Sequence, residues 1–407
     1  MRQIAAVRLA IGLAQGLALY VLYRASSAHV WPATDAFVFA PLVMVAVFVP
    51  LIALQGLGSM RMRTLGLWAG AAAILLVLLA LYERSIVWPV DSAKSDANVP
   101  GAALVFFCAV WLFIAQVLVT AGDHARRIIA PYANYFDAAW KLGLQLALAA
   151  LFTGVFWGVL ALGAALFNLI GLTFLSDLIE NAWFAFPASA LAVAAGLHLS
   201  DVRHNLITGT RTIVLVLLSW LLPLMAIVTI GFLIALPFAG LNALWITNSA
   251  AALLLSCAAA LVILINAAYQ DGADIAARPR VLRVAMVAAA LALVPLVLLS
   301  CWAIGLRVVQ YGWTDTRIIA FAFLIVAACY AGGYAFAALW SRARNLRLLE
   351  ITNIATSFVV IGVLIALFSP LASPTRIAVQ SQVAQLKAGN IGADKFDFNW
   401  LRYDGGR

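Results

Sequence analysis

Eleven apolar segments, each about as long as a bilayer is thick, decide what this chain can fold into. By sequence they run over 4–23, 36–56, 65–82, 100–121, 142–170, 182–199, 212–236, 243–268, 281–306, 317–340 and 351–368. About 20 apolar residues in a helix cross the hydrocarbon layer. In lipid the backbone finds no water to bond, so such segments must be helical. The two-residue alternation of a barrel strand is missing. Of 407 residues, 66% are hydrophobic and 10% charged; soluble domains carry roughly half and a quarter. The expected fold is therefore all-α: a polytopic transmembrane helix bundle. Pro41, Pro50, Pro223 and Pro295 fall inside spans and read as kinks packed against neighbouring helices.

Lysine and arginine set the orientation. With the N-terminus inside, the inner segments hold Arg2 and Arg8; Arg61 and Arg63; Arg126, Arg127 and Lys141; Arg203 and Arg211; Arg278, Arg280 and Arg283; and Arg342, Arg344 and Arg347. The outer loops hold only Arg24, Arg84, Lys94, Arg307 and Arg317. The net charge of +9 thus collects on one membrane face, where it suits anionic lipid rather than nucleic acid. The N-terminus is expected in the cytoplasm and the C-terminus outside. Arg2, Arg8, the apolar run from Leu9 to Tyr23 and the "ASSA" that follows also fit a cleaved signal segment, which would leave the later loops on the same sides.

Four regions are expected. Residues 1–122 hold four spans. "VWP" recurs there at Val30–Pro32 and Val87–Pro89, the pattern of a duplicated hairpin or of two loops built alike. In 123–141, Tyr132, Tyr135, Phe136 and Trp140 recur at helical spacing between basic residues, as in a helix lying in the interface before it turns into span five. Residues 142–368 form a seven-span core. The tail, 369–407, opens with a helix: Ser373 as cap, Pro374 at its first position, Gly389 as its stop. Phe396, Phe398 and Trp400 then alternate with polar residues, as in a strand, and a lone strand needs a partner. The stretch 394–403 is thus expected to dock on a further domain, a second copy or an extracytoplasmic protein. Cys108, Cys257, Cys301 and Cys329 all fall inside spans, which implies packing rather than a disulfide framework.

The polar candidates lie where spans six and eight end. His198 and Asp201 are followed by Arg203. Asn266, Tyr269 and Gln270 share a helix face, and Asp271 follows. A pocket made of these residues would let His198 bind or shuttle protons, Asp201 orient it and Asn266 fix a ligand. The competing reading is a helix end: Tyr at the interface, Gly272 stopping the helix, Asp201 paired with Arg203 or Arg211. Gln15, Gln55, Gln116, Gln145, Asn168 and Asn353 are also embedded and suit hydrogen bonds between helices. The chain has no H-E-x-x-H, P-loop or G-x-S-x-G, so no catalytic residue, cofactor or metal ligand is assigned.

The stretches "NYFDAAWKLGLQLALAALFTGVFWGVLALGAALFNLIGL", "WFAFPASALAVAAGLHLSDVR", "LVILINAAYQDG", "LRVVQYGWTDTRI" and "LFSPLASPTRIAVQSQVAQL" resemble bacterial membrane proteins catalogued as domain of unknown function 4153. The resemblance runs from about Tyr135 to the C-terminus. It implies a bacterial inner-membrane protein and no particular activity. It also implies a chain that continues past "DGGR", so the tail is expected to be truncated. Two functions are open at this point. One is a non-enzymatic, transporter-like or envelope regulatory module. The other is an intramembrane enzyme acting on a lipid or lipid-linked substrate at the cytoplasmic interface.

The orientation is directly testable. A cysteine introduced after Ser369 should react with an impermeant thiol reagent in intact spheroplasts. Protection until lysis would invert the whole map.

Overall fold

A computed structural model describes residues 2–86, 98–202, 204–240, 250–273, 275–340 and 347–387. The described residues form thirteen α-helices and one short 3-10 turn, Ile275–Ala277. Eleven of the helices are long and apolar enough to cross a membrane; the chain is a multi-pass membrane protein. The expected spans are found within a few residues at most ends, with larger extensions at three of them. Val87–Pro89, Arg203, Gly389 and the 394–403 stretch lie outside the described residues.

Two compact units divide the chain, Met1–Arg211 and Thr212–Arg407. The division falls inside a helix. The first unit holds α1 (Arg2–Ser27), α2 (Ala36–Gly56), α3 (Met62–Ile86), α4 (Ala102–Ala125), α5 (Tyr132–Leu169), the short α6 (Phe174–Glu180) and α7 (Ala182–Val202). The first four spans do not close on themselves. α1 lies along α7, α5 packs on α7, and α4 packs on α5.

Small residues make the α1–α7 contact possible. A Cβ on Gly12 would stand 2.7 Å from Ala194 Cβ and 2.9 Å from the Ala190 carbonyl oxygen. One turn on, a Cβ on Gly16 would stand 2.5 Å from Pro187 Cα. Two glycines four apart let the helix backbones approach as membrane helices do without a hydrophobic drive between them. Leu54, Ala149, Ala194 and Leu197 form the core where α2, α5 and α7 meet, with Ile11 of α1 against it.

Pro50 shows how a proline is accommodated here. It cannot donate to the carbonyl four residues back, that of Ala46. Gln15 Nε2 of α1 donates to Ala46 O at 3.3 Å and to Val47 O at 2.9 Å. A side chain from the neighbouring helix thus supplies the bond the proline removed.

The sequence places a surface-lying helix over 132–141 that turns into span five. The structure shows no such turn: Tyr132–Leu169 is one helix of 38 residues. At 1.5 Å per residue it is about 57 Å long, well beyond the ~30 Å hydrocarbon layer. Nothing between Trp140 and Leu142 breaks it, since Lys141 is a good helix former and no glycine or proline intervenes. Its exposed face carries Leu151, Val155, Val159, Leu162 and Leu166 at helical spacing, a surface suited to acyl chains.

The second unit holds the rest of α8 (His204–Ala239), then α9 (Ala250–Tyr269), α10 (Arg280–Tyr311), α11 (Asp315–Trp340), α12 (Leu348–Leu367) and α13 (Pro374–Lys387). α10 packs between α9 and α11, and α12 packs on α11. α8 meets α9 through Ser219 Oγ, which donates to Ala267 O at 2.9 Å. The expected tail helix is present as α13. It folds back on the α10–α11 turn: Trp313 N donates to Ser381 Oγ at 3.1 Å and Gln382 Nε2 to Trp313 O at 3.1 Å.

Replacing Gly16 by Ala should destabilise the detergent-solubilised protein by about 1–3 kcal/mol, the usual cost of overpacking. Gly70, which has nothing within 4 Å of an added Cβ, serves as control; its Ala variant should unfold at or above the wild-type midpoint. An unchanged midpoint for Gly16→Ala would show that α1 is not pressed on α7.

Candidate functional sites

Six of the seven expected residues are described, Arg203 being the exception. His198 and Asp201 belong to the first unit; Asn266, Tyr269, Gln270 and Asp271 belong to the second. Each set is best understood through its own neighbours.

At one end of the first unit's core, one turn beyond Ile11, Leu146 and Leu197, three helices bring charged groups together. Arg8 of α1 is 2% exposed. Its Nη2 donates to the Leu57 carbonyl at 2.6 Å and to Asp201 Oδ2 at 3.0 Å. Asp201 Oδ1 accepts from Gln145 Nε2 at 3.1 Å and lies 3.5 Å from Lys141 Nζ. Gln145 and Lys141 are four apart on α5 and so share a face. Asp201 is therefore engaged by Arg8, Lys141 and Gln145 rather than by His198. His198 Nδ1 is buried and finds no partner among the described residues.

A recess adjoins this cluster. It measures about 140 Å³ and is lined by Ser59, Thr120, His124, Asn134, Asp137, Ala138, Lys141 and Leu142. The turn between α2 and α3 borders it and is held from several sides. Arg8 binds the Leu57 carbonyl, and His124 Nε2 meets the Ser59 carbonyl. Asp123, buried at the end of α4, accepts from Arg61 N at 2.9 Å, Arg61 Nε at 2.7 Å and Thr64 Oγ1 at 2.6 Å. A carboxylate bound at the first turn of α3 also complements that helix's dipole. Arg211 pairs with Asp137 at 2.7 Å and sits 4.9 Å over the Phe136 ring.

In the second unit the polar side chains close a ring. Asn266 Nδ2 donates to Tyr334 OH at 2.8 Å. Tyr334 OH donates to Asn353 Oδ1 at 2.6 Å. Asn353 Nδ2 donates back to Asn266 Oδ1 at 2.6 Å. Three helices, α9, α11 and α12, are joined by side chains that satisfy one another, and Tyr334 is 0% exposed. Within hydrocarbon such a ring removes the cost of burying two amides and a phenol.

One turn further, Tyr269 OH donates to Glu350 Oε1 at 2.9 Å. The expected interfacial tyrosine is thus a buried one, 1% exposed. α9 ends as the competing reading requires: Gln270 has φ +57° and Gly272 φ +80°, left-handed conformations that stop a helix. Gly272 is also needed sterically, because a Cβ there would lie 2.7 Å from Tyr269 Oη and 2.9 Å from Glu350 Oε1. A cavity of about 400 Å³ opens here, lined by Tyr269, Asp271, Gly272, Ala273, Ile275, Arg347 and Glu350. Asn266 is directed at α11 and α12, whereas Tyr269, Asp271 and Glu350 border the cavity.

Sequence reasoning missed Arg8, Lys141, Tyr334 and Glu350 as site residues. Arg8 and Asp201 had a legible signal, opposite charges at the matching ends of two apolar segments. Tyr334 had none, since one tyrosine in a span looks like another until its partners are known. Among the described residues, no group of three or more His, Cys, Asp or Glu is placed to hold a metal ion.

A family of proteins described as a domain of unknown function, DUF4153, matches residues 12–404. The chain belongs to this family. The match begins far upstream of Tyr135, so the first four spans, with Gly12, Gly16 and Gln15, are part of the DUF4153 unit. No curated protein and no solved structure matches the chain.

The ring makes a measurable statement. Asn266→Ala and Asn353→Ala should each cost about 1–3 kcal/mol, the scale of an unmade buried hydrogen bond. Together they should cost clearly less than the sum, because either one already opens the ring. Strict additivity in thermal unfolding would show that the three side chains do not act as one network.

Proposed function

We propose that this DUF4153 protein is a non-enzymatic module of the bacterial inner membrane, transporter-like or regulatory in the envelope. In this reading the N-terminus and the Arg8–Asp201–Lys141 end of the first unit face the cytoplasm, and the tail lies outside. One observation carries it: several polar side chains within the spans are engaged from helix to helix. Asn266, Tyr334 and Asn353 join three helices. Trp68 Nε1 donates to Gln116 Oε1 at 2.6 Å across α3 and α4. Gln15 serves α2, and Asp201 is shared by α1 and α5. Groups bonded in this way hold spans in register. They are not arranged as a nucleophile with its base, which needs a reactive oxygen or sulfur beside a free proton acceptor.

A second reading, an enzyme working on a lipid or lipid-linked substrate at the cytoplasmic face, draws on the 400 Å³ cavity. Asp271 and Glu350 border it with Arg347, so it presents both an acid–base pair and a cation.

Comparing the lipids and metabolites of a deletion strain with wild type separates the two. The module reading expects altered amounts or leaflet distribution, with no lipid species lost, and restoration by the Asp271→Asn protein. A lipid product absent from the deletion strain, and still absent when Asp271→Asn is supplied, would replace the module by the enzyme.

A further inference from the structure

The recess beside the first unit's ionic cluster has a charge pattern that the reading above does not use. One carboxylate, Asp137, lines it, Asp123 and Asp201 stand next to lining residues, and each of the three already has a cation. Asp123 is held by Arg61 at 2.7 Å, Asp137 by Arg211 at 2.7 Å, and Asp201 by Arg8 at 3.0 Å. Lys141 is the cation in excess. It shares Asp201 at 3.5 Å, the longest contact of the four, and it lines the recess. The positive surplus is reinforced from behind. Arg8 is 2% exposed, and its Nε and Nη1 are buried with no acceptor among the described residues.

Apart from Asp137, which Arg211 holds, the remaining polar lining suits an anion. His124 donates from Nε2 to the Ser59 carbonyl and so fixes one edge of the recess. The Asn134 amide lines the recess and makes no hydrogen bond to another described residue. Leu142 and Ala138 supply an apolar wall. The recess is too small for a nucleotide or a drug-sized molecule, which occupy about 300–1,000 Å³. At about 140 Å³ it suits a single phosphate group with a short substituent.

We propose that this recess binds a phosphate group, with Lys141 as its charge partner and Asn134 as its polar donor. Binding would add the anion that the surplus cation lacks, and a charge-assisted bond to Lys141 in a half-buried site is stronger than one in water. The group could belong to a lipid headgroup or to a free phosphate; the chemistry is the same. The proposal rests on the first unit's geometry alone and stands whether the module transports, regulates or catalyses.

The test uses the full chain in an uncharged, phosphate-free detergent, titrated with short-chain phosphatidylglycerol and, separately, with inorganic phosphate. Thermal stabilisation gives the affinity. At least one titrant should bind saturably. Lys141→Gln should weaken it about tenfold or more, the scale of one lost hydrogen bond to a charged group. Asn134→Ala should weaken it too, and it leaves every ion pair in place, so it reports on the site if Lys141→Gln perturbs the fold. Arg127→Gln, an exposed arginine outside the recess, should change nothing. Saturable binding of the lipid alone supports the site with a headgroup as occupant; binding of phosphate alone supports it with a soluble occupant. No binding of either, or equal loss in Lys141→Gln and Arg127→Gln, would overturn the proposal.

Discussion

Inside a bilayer no water completes an unmet hydrogen bond, and the architecture of both units follows from that restriction. Helical backbone meets most of the demand by itself. What remains is met by side chains reaching across to the next helix. Gln15 bonds the carbonyls beside Pro50, Ser219 bonds the carbonyl of Ala267 near the end of α9, and two asparagines and a tyrosine bond one another. Such short side chains reach only if the helices are close. The glycines of α1 give that closeness against α7, and Gly196 gives it between α7 and α5, where an added Cβ would lie 2.8 Å from Ala149 Cα. Small residues and polar cross-links are therefore two parts of one arrangement: the first sets the spacing at which the second can form.

The two units meet their buried polar demand by different means. The first uses formal charge at the end of its core, with Arg8 and Lys141 around Asp201. A buried ion pair costs much of its attraction in desolvation, which favours placing it at the end of the helices, where Asp201 and Lys141 stay half-buried. The second uses neutral amides and a phenol one to two turns inside the ends of its spans, which avoids the cost of formal charge there. Beside the ring, ionisable groups stand where α9 ends, at Asp271, Arg347 and Glu350.

How much of this was legible depends on whether a property lies along the chain or across it. The spans lie along it, so apolar runs alone located all eleven, including 36–56 to the residue. The C-terminal helix was also legible, because its cap serine and first-turn proline are local signals. Pairing lies across the chain. That Asn266 meets Asn353 rather than a residue of span six depends on which helices neighbour α9, and nothing in "ILINAAYQDG" encodes that. The α5 boundary was misjudged for another reason: aromatic and basic residues at 132–141 are equally suited to a helix lying on the membrane and to one rising straight out of it. Gly12 and Gly16 were readable as a close-packing pair but look unremarkable beside the chain's other 25 glycines, several of which face open space.

The asparagine ring also carries a timetable. Asn266 and Asn353 are 87 residues apart, and chains grow at about 5–20 residues per second. α9 is thus made some 4–17 s before the span that completes its ring. In that interval Asn266 has one bond already to hand, from its Nδ2 to Val262 O at 2.8 Å within its own helix. The same amide that later links three spans can first fold back on its own backbone. A polar residue that would otherwise burden a newly inserted helix is thereby carried safely until α11 and α12 arrive, and the second unit locks only when its final span is in place.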